Sequence, residues 1–111
     1  MEDELVAAGR FARLETHGRV SGLPRVVTIG FVEERDGAIL LAARAGAHWA
    51  DNLLADPRCV ITVGERSWPA IAEELEGPAF ARAIREHILR YGTPAEMLGN
   101  GPAFRVHPAT A

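Results

Sequence analysis

The longest uninterrupted apolar run in the chain, Ala38 to Ala43, does most to limit what it can fold into. It falls far short of the ~20 residues that a membrane-crossing helix needs. Asp36-Gly37, immediately before it, is a strong turn dipeptide. A short continuous apolar segment opened by such a turn suits a strand buried on both faces.

The flanking segments supply further strands. Phe11 to Glu15 alternates apolar and polar residues, and so does Val26 to Val32, where Val27, Ile29 and Phe31 share one face. Between them, Thr16 to Pro24 holds the glycines and the proline of a turn, which makes a first hairpin. Cys59 to Val63 and Arg66 to Glu74 flank Gly64-Glu65 and read as another hairpin, with Pro69 favouring an edge strand or a bulge on its second arm. Phe104 to His107 reads as a closing strand.

Helical spacing appears in three places. From His48 to Ala55, Trp49, Leu53 and Leu54 recur at helical intervals before Asp56-Pro57 stops the segment. After Gly77, Pro78 occupies a first helical position, and Phe80, Ile84 and Ile88 repeat every four residues as far as Tyr91. Thr93 and Glu96 have capping-box spacing, which predicts a short helix over Pro94 to Leu98. This order has no regular β-α alternation, so a doubly wound parallel sheet is excluded. An antiparallel α+β split β-barrel with flanking helices, filling residues 1–111 as one domain behind a short amino-terminal segment over residues 1–9, fits the order best.

Charge and chemistry narrow the function. Net charge is −3, and the twelve basic residues are all arginine. Arg10, Arg13, Arg19 and Arg25 stand between Leu5 and Val32 against the single acid Glu15, so a small anion is a better partner than nucleic acid. Cys59 stands alone, and Glu2, Asp3 and Glu4 open the chain, which leaves no secretory signal or disulfide and predicts a cytoplasmic protein. His17, His48, His87 and His107 show no ligand-pair spacing, so no metal site is expected. Ser21 and Ser67 lack a nucleophile elbow.

Two segments can carry a ligand. In Gly18 to Arg25, Gly22 lets the backbone approach closely, Arg19 and Arg25 offer planar forks to phosphate or carboxylate, and Ser21 adds a hydroxyl. The alternative is a solvated loop whose arginines touch water. In Ala45 to Leu53, a glycine turn opens a helix with unpaired N–H groups, and Trp49 could wall a planar ring. Equally, Trp49 and Leu53 could be core residues with Asn52 serving the backbone. His87, inside the long helix, fits a partly exposed packing role, and Tyr91 fits a proton donor or a capping contact.

Taken together, the Gly-Arg-x-Ser-Gly-x-x-Arg pattern within Thr16 to Arg25, the Trp49 to Pro57 segment, and Phe104 to Pro108 resemble the deazaflavin-dependent nitroreductase family of the flavin-binding split-barrel superfamily. The resemblance runs from Phe11 to Pro108. It implies coenzyme F420, with FMN as the alternative cofactor, and hydride transfer to a small acceptor such as a quinone or a nitro compound. It further implies that Arg19, Ser21 and Arg25 hold the coenzyme's phosphate or acidic tail, that Gly22 admits it, that Ala47, His48 and Trp49 line its ring, that Asn52 fixes that helix, and that Thr28 faces it. Tyr91 and His48 are then the proton-donor candidates. The chain has Val20 where many members have lysine, and a short amino-terminal helix. The alternatives that the superfamily implies are a non-catalytic protein that stores or shields a flavin, haem or lipid, and an FMN enzyme; split barrels often pair, which implies a homodimer.

Overall fold

The structure is a computed structural model and describes residues 2–92 and 98–109. Three helices, α1 (Glu2–Ala7), α2 (His48–Ala55) and α3 (Gly77–Tyr91), flank seven strands. These are β1 (Ala12–His17), β2 (Pro24–Ile29), β3 (Val32–Glu33), β4 (Ile39–Ala42), β5 (Arg58–Val63), β6 (Arg66–Glu74) and β7 (Ala103–Pro108). The strands form one antiparallel sheet in the order β2-β1-β5-β6-β7-β4-β3, curled into a half-barrel. No helix among the described residues is long and apolar enough to cross a membrane.

The apolar run behaves as its composition requires. All of β4 is buried, and its residues alternate between two cores. Ile39 and Leu41 join the cluster inside the curl with Leu14, Ile61, Phe104 and Val106, while Leu40 and Ala42 face Ala83 and Phe80 of α3. The period of two thus glues the sheet to a helix on one side and closes the curl on the other.

β1 uses the same alternation to position the site. Ala12, Leu14 and Thr16 all point inward, so the row of core residues ends on a hydroxyl beside α2. Trp49 of α2 leans on Phe104 of β7, ring centroids 6.0 Å apart, and Leu53 is buried one turn later. Leu54, also at helical spacing in the sequence, lies on the outer side of α2 and is half-exposed.

Three expectations are corrected or displaced. Pro69 lies in an interior strand, between β5 and β7, not at an edge or in a bulge. Its missing N–H does no harm there, because pairing with β7 begins at Ala70, and the Pro69 carbonyl still accepts from Ala109 N at 2.9 Å. His87 is not partly exposed but buried, with Ala83 one turn before it, because α3 lays this stripe against β4 and the end of β2. The short helix expected over Pro94 to Leu98, with its capping box at Thr93 and Glu96, falls outside the described residues except for Leu98.

Candidate functional site

A cavity of about 1110 Å³ opens between the β1–β2 hairpin, the turn after β4, the start of α2 and the end of α3. Its walls bring together Arg19, Ser21, Arg25, Thr28, Ala47, His48, Trp49, Asn52 and Tyr91, so both ligand-carrying segments read from the sequence face one space. Gly22 is not part of that wall. It sits at the turn with φ +73°, where its N–H bonds Gly18 O at 2.8 Å, and it borders a smaller neighbouring pocket with His17 and Arg58. Its glycine character serves the turn rather than close approach of a ligand in the main cavity.

The hairpin loop is ordered by its own bonds. Gly18 N donates to Leu23 O at 2.8 Å, and Leu23 N donates to Ser21 Oγ at 3.2 Å. Ser21 therefore keeps its hydroxyl proton and one lone pair for a ligand. Val20 stands almost fully exposed at the tip.

Asn52 locks this loop to α2. Buried at 3% exposure, it donates from Nδ2 to Thr16 Oγ1 at 3.1 Å and accepts at Oδ1 from the Arg19 backbone N at 3.2 Å and from Arg19 Nη1 at 2.9 Å. Arg19 also donates from Nη2 to His48 Nδ1 at 3.2 Å and comes within 3.9 Å of Asp51. Because a guanidinium only donates, His48 Nδ1 is an acceptor and its proton sits on Nε2.

Charge on the wall is one-sided. Arg19, Arg25 and Arg44 line the cavity, and no aspartate or glutamate does among the described residues. Arg19 has Asp51 nearby, whereas Arg25 and Arg44 have no carboxylate partner among the described residues. The amino terminus of α2 adds to this field: Ala47 caps it without a side-chain bond, leaving first-turn N–H groups beside the cavity. An acidic protein has thus built a positive chamber, the arrangement that draws an anionic ligand.

Tyr91 is held differently from what a mobile proton donor needs. Its hydroxyl accepts from Phe31 N at 2.9 Å and lies 2.9 Å from Phe31 O and 3.0 Å from Arg10 O, so its proton is directed to a backbone carbonyl. Its ring presses on Gly30, where a Cβ would stand 3.0 Å from Tyr91 Cε2. Among the ionisable side chains of the wall, sequence reasoning missed Arg44 and His87. Arg44 follows the buried run directly, so its place beside the ligand segment of α2 was accessible in principle. His87 carried no such signal. Cys59 is buried and its thiol is pushed up to about 11 by that burial and by Asp56, which leaves it unreactive. No cluster of three or more metal-ligating side chains occurs among the described residues.

A family described as F420H(2)-dependent quinone reductase has a model that matches residues 5–95. The structure of an F420-H2 dependent reductase, FDR-A, is 28% identical, with a TM-score of 0.76 over 88% of this chain and 94% of that one. A domain-swapped dimer is 24% identical at TM-score 0.76, over 95% of this chain and 92% of the other. HutZ, the haem storage protein from Vibrio cholerae, shares the fold at 21% identity and TM-score 0.73, over 98% and 88% of the two chains. No curated protein matches the chain.

Proposed function

Since the chain belongs to the F420H(2)-dependent quinone reductase family and is an F420-dependent reductase, we propose that the cavity seats the reduced coenzyme beside a small quinone and that the quinone is the hydride acceptor. The observation that carries this reading is the cavity wall with three arginines and no carboxylate among the described residues. Nitro compounds are a second acceptor class, and the family's description names quinones alone.

The residues fit the coenzyme. Arg25 and Arg44 stand ready for its phosphate or acidic tail, Arg19 and the Ser21 hydroxyl assist, and the volume suits a tricyclic ring against Ala47, His48 and Trp49. Thr28 faces the same space from β2, and Asn52 fixes α2 so that its first turn stays in place. When bound, the coenzyme supplies the hydride; the protein's part is to orient it, bring the acceptor close and keep water out. A proton for the reduced acceptor is within the means of His48, whose proton sits on Nε2.

Titration of the purified protein with coenzyme F420 and with FMN in parallel tests the reading. Micromolar or tighter binding of F420, followed by turnover of the reduced coenzyme with menadione, supports it. Binding of FMN alone overturns it. The same reading extends to a homodimer, because β2 is an edge strand and its Val26, with Val20 and Leu23 in the loop before it, exposes apolar surface. A monomeric mass by light scattering would refute that extension.

A further inference from the structure

His87 is 1% exposed and yet belongs to the cavity wall, on the α3 side. Its Nδ1 lies 2.8 Å from Ala83 O. A carbonyl oxygen only accepts, so Nδ1 carries the ring proton and the tautomer is fixed by the helix backbone. Burial also holds the imidazole below its ordinary pKa, which keeps it neutral. Nε2 is therefore a bare lone pair, and it has no hydrogen-bond partner among the described residues.

Location separates this orphan from the others. Trp68 Nε1 and Arg105 Nε are also buried without a hydrogen-bond partner among the described residues, and Glu34 Oε1 meets only the Arg105 guanidinium at 3.0 Å, but none of those residues lines the cavity. Around His87 no donor among the described residues satisfies it: the Gly30 backbone carbonyl that also approaches the ring can only accept, as Ala83 O does. The Tyr91 ring lies 6.2 Å from the imidazole between centroids, and its hydroxyl is already engaged with Phe31 and Arg10. Native proteins seldom leave a buried acceptor unmet, and one beside a ligand-sized cavity has a simple resolution in the ligand itself.

We infer that His87 Nε2 accepts a hydrogen bond from an N–H or O–H group on the buried edge of the molecule seated in the cavity. His87 is thereby a specificity-determining residue that favours donor-bearing ligands. The inference rests on the F420-dependent reading for its two sources of donor: an N–H of the deazaflavin ring, or a hydroxyl of the reduced quinone. The fixed tautomer also means that His87 gives no proton to the reduced acceptor.

The test compares wild type with His87→Phe, which removes the acceptor while keeping a flat ring, and His87→Gln, which restores an acceptor oxygen. Thermal melting establishes that each variant is folded. Dissociation constants are then measured for coenzyme F420 and, separately, for menadiol as a hydroxyl donor. One neutral hydrogen bond corresponds to roughly three- to tenfold in affinity. A loss of that size in His87→Phe, largely recovered in His87→Gln, is the expected result. Loss confined to F420 assigns the donor to the coenzyme, and loss confined to menadiol assigns it to the substrate. Unchanged affinity for both ligands in a folded His87→Phe variant overturns this inference and leaves the functional reading standing. So does a loss that His87→Gln fails to recover. Failure of wild type to bind either ligand overturns both.

Discussion

Asn52 Oδ1 receives two hydrogen bonds from Arg19, one from the guanidinium at 2.9 Å and one from the backbone N at 3.2 Å, and so ties the β1–β2 loop to α2. The Nδ2 side of the same amide is held by Thr16 Oγ1 at 3.1 Å. Thr16 is there because the inward alternation of β1 runs one step past its apolar residues. One buried amide thus sets the distance between the two segments that face the cavity.

Asn52→Ala should therefore damage both stability and binding. It strands the Thr16 hydroxyl and the Arg19 N–H, a loss of about 1–3 kcal/mol for partners left unmet. Denaturant unfolding reads that loss, and F420 titration should show weaker binding even at temperatures where the variant is fully folded. Unaltered affinity in the folded variant would mean that the loop does not depend on α2 for its placement.

Arg25 and Arg44 should act as a pair of ligand cations. Both line the cavity without a carboxylate partner among the described residues, so their removal breaks no ion pair there. The double variant Arg25→Ala, Arg44→Ala should keep its melting temperature and lose at least about tenfold in F420 affinity, as charge-assisted bonds are stronger than neutral ones. Wild-type affinity should also fall with added salt, and that dependence should be shallower in the double variant.

Tyr91 should prove to be a fastener. Its hydroxyl joins the end of α3 to Phe31 and Arg10, and Tyr91→Phe removes those bonds without touching the apolar contacts of the ring. The expected cost is about 1–3 kcal/mol in stability, with the turnover rate for menadione unchanged in the folded variant. A normal melting temperature with turnover abolished would instead make Tyr91 the proton donor.

The parts of this fold that were legible in the sequence are those set by near neighbours. The Ala38 to Ala43 run, the Asp36-Gly37 turn, the Gly64-Glu65 hairpin and the helix from His48 to Ala55 all follow from spacing and turn chemistry within a few residues. α3 shows where that logic stops. Its sequence stripe of Phe80, Ile84 and Ile88 is real but only partly buried, and the most buried positions are Ala83 and His87. A small residue lets the helix come close to β4, and a histidine scores as polar, so neither registers as core by hydrophobicity. The site divides in the same way. Arg19 and Asn52 stand in segments with a recognisable pattern, whereas the positions of Arg44 and His87 depend on where β4, β7 and α3 meet.

Burial of His87 has a consequence for acid stability, and its sign can be worked out. Desolvation is the largest influence on the ring and lowers its pKa from 6.5, with the nearby Arg90 charge acting in the same direction. The Ala83 carbonyl and the Gly30 backbone oppose that shift without reversing it. In the unfolded chain the imidazole takes up a proton as pH falls through its ordinary value, while the folded protein resists. The unfolded state therefore binds more protons, and folding stability declines as pH drops below that value. Asp56, held down to about 2 chiefly by Arg58, loses its contribution only in a lower window, as pH falls from 3.8 toward that value. The two can thus be separated. Melting temperatures taken between about pH 7.5 and about pH 5 should fall in wild type and fall less in His87→Phe, since the variant has no group there to protonate. Parallel declines in the two proteins would mean that acid sensitivity in this range arises elsewhere in the chain.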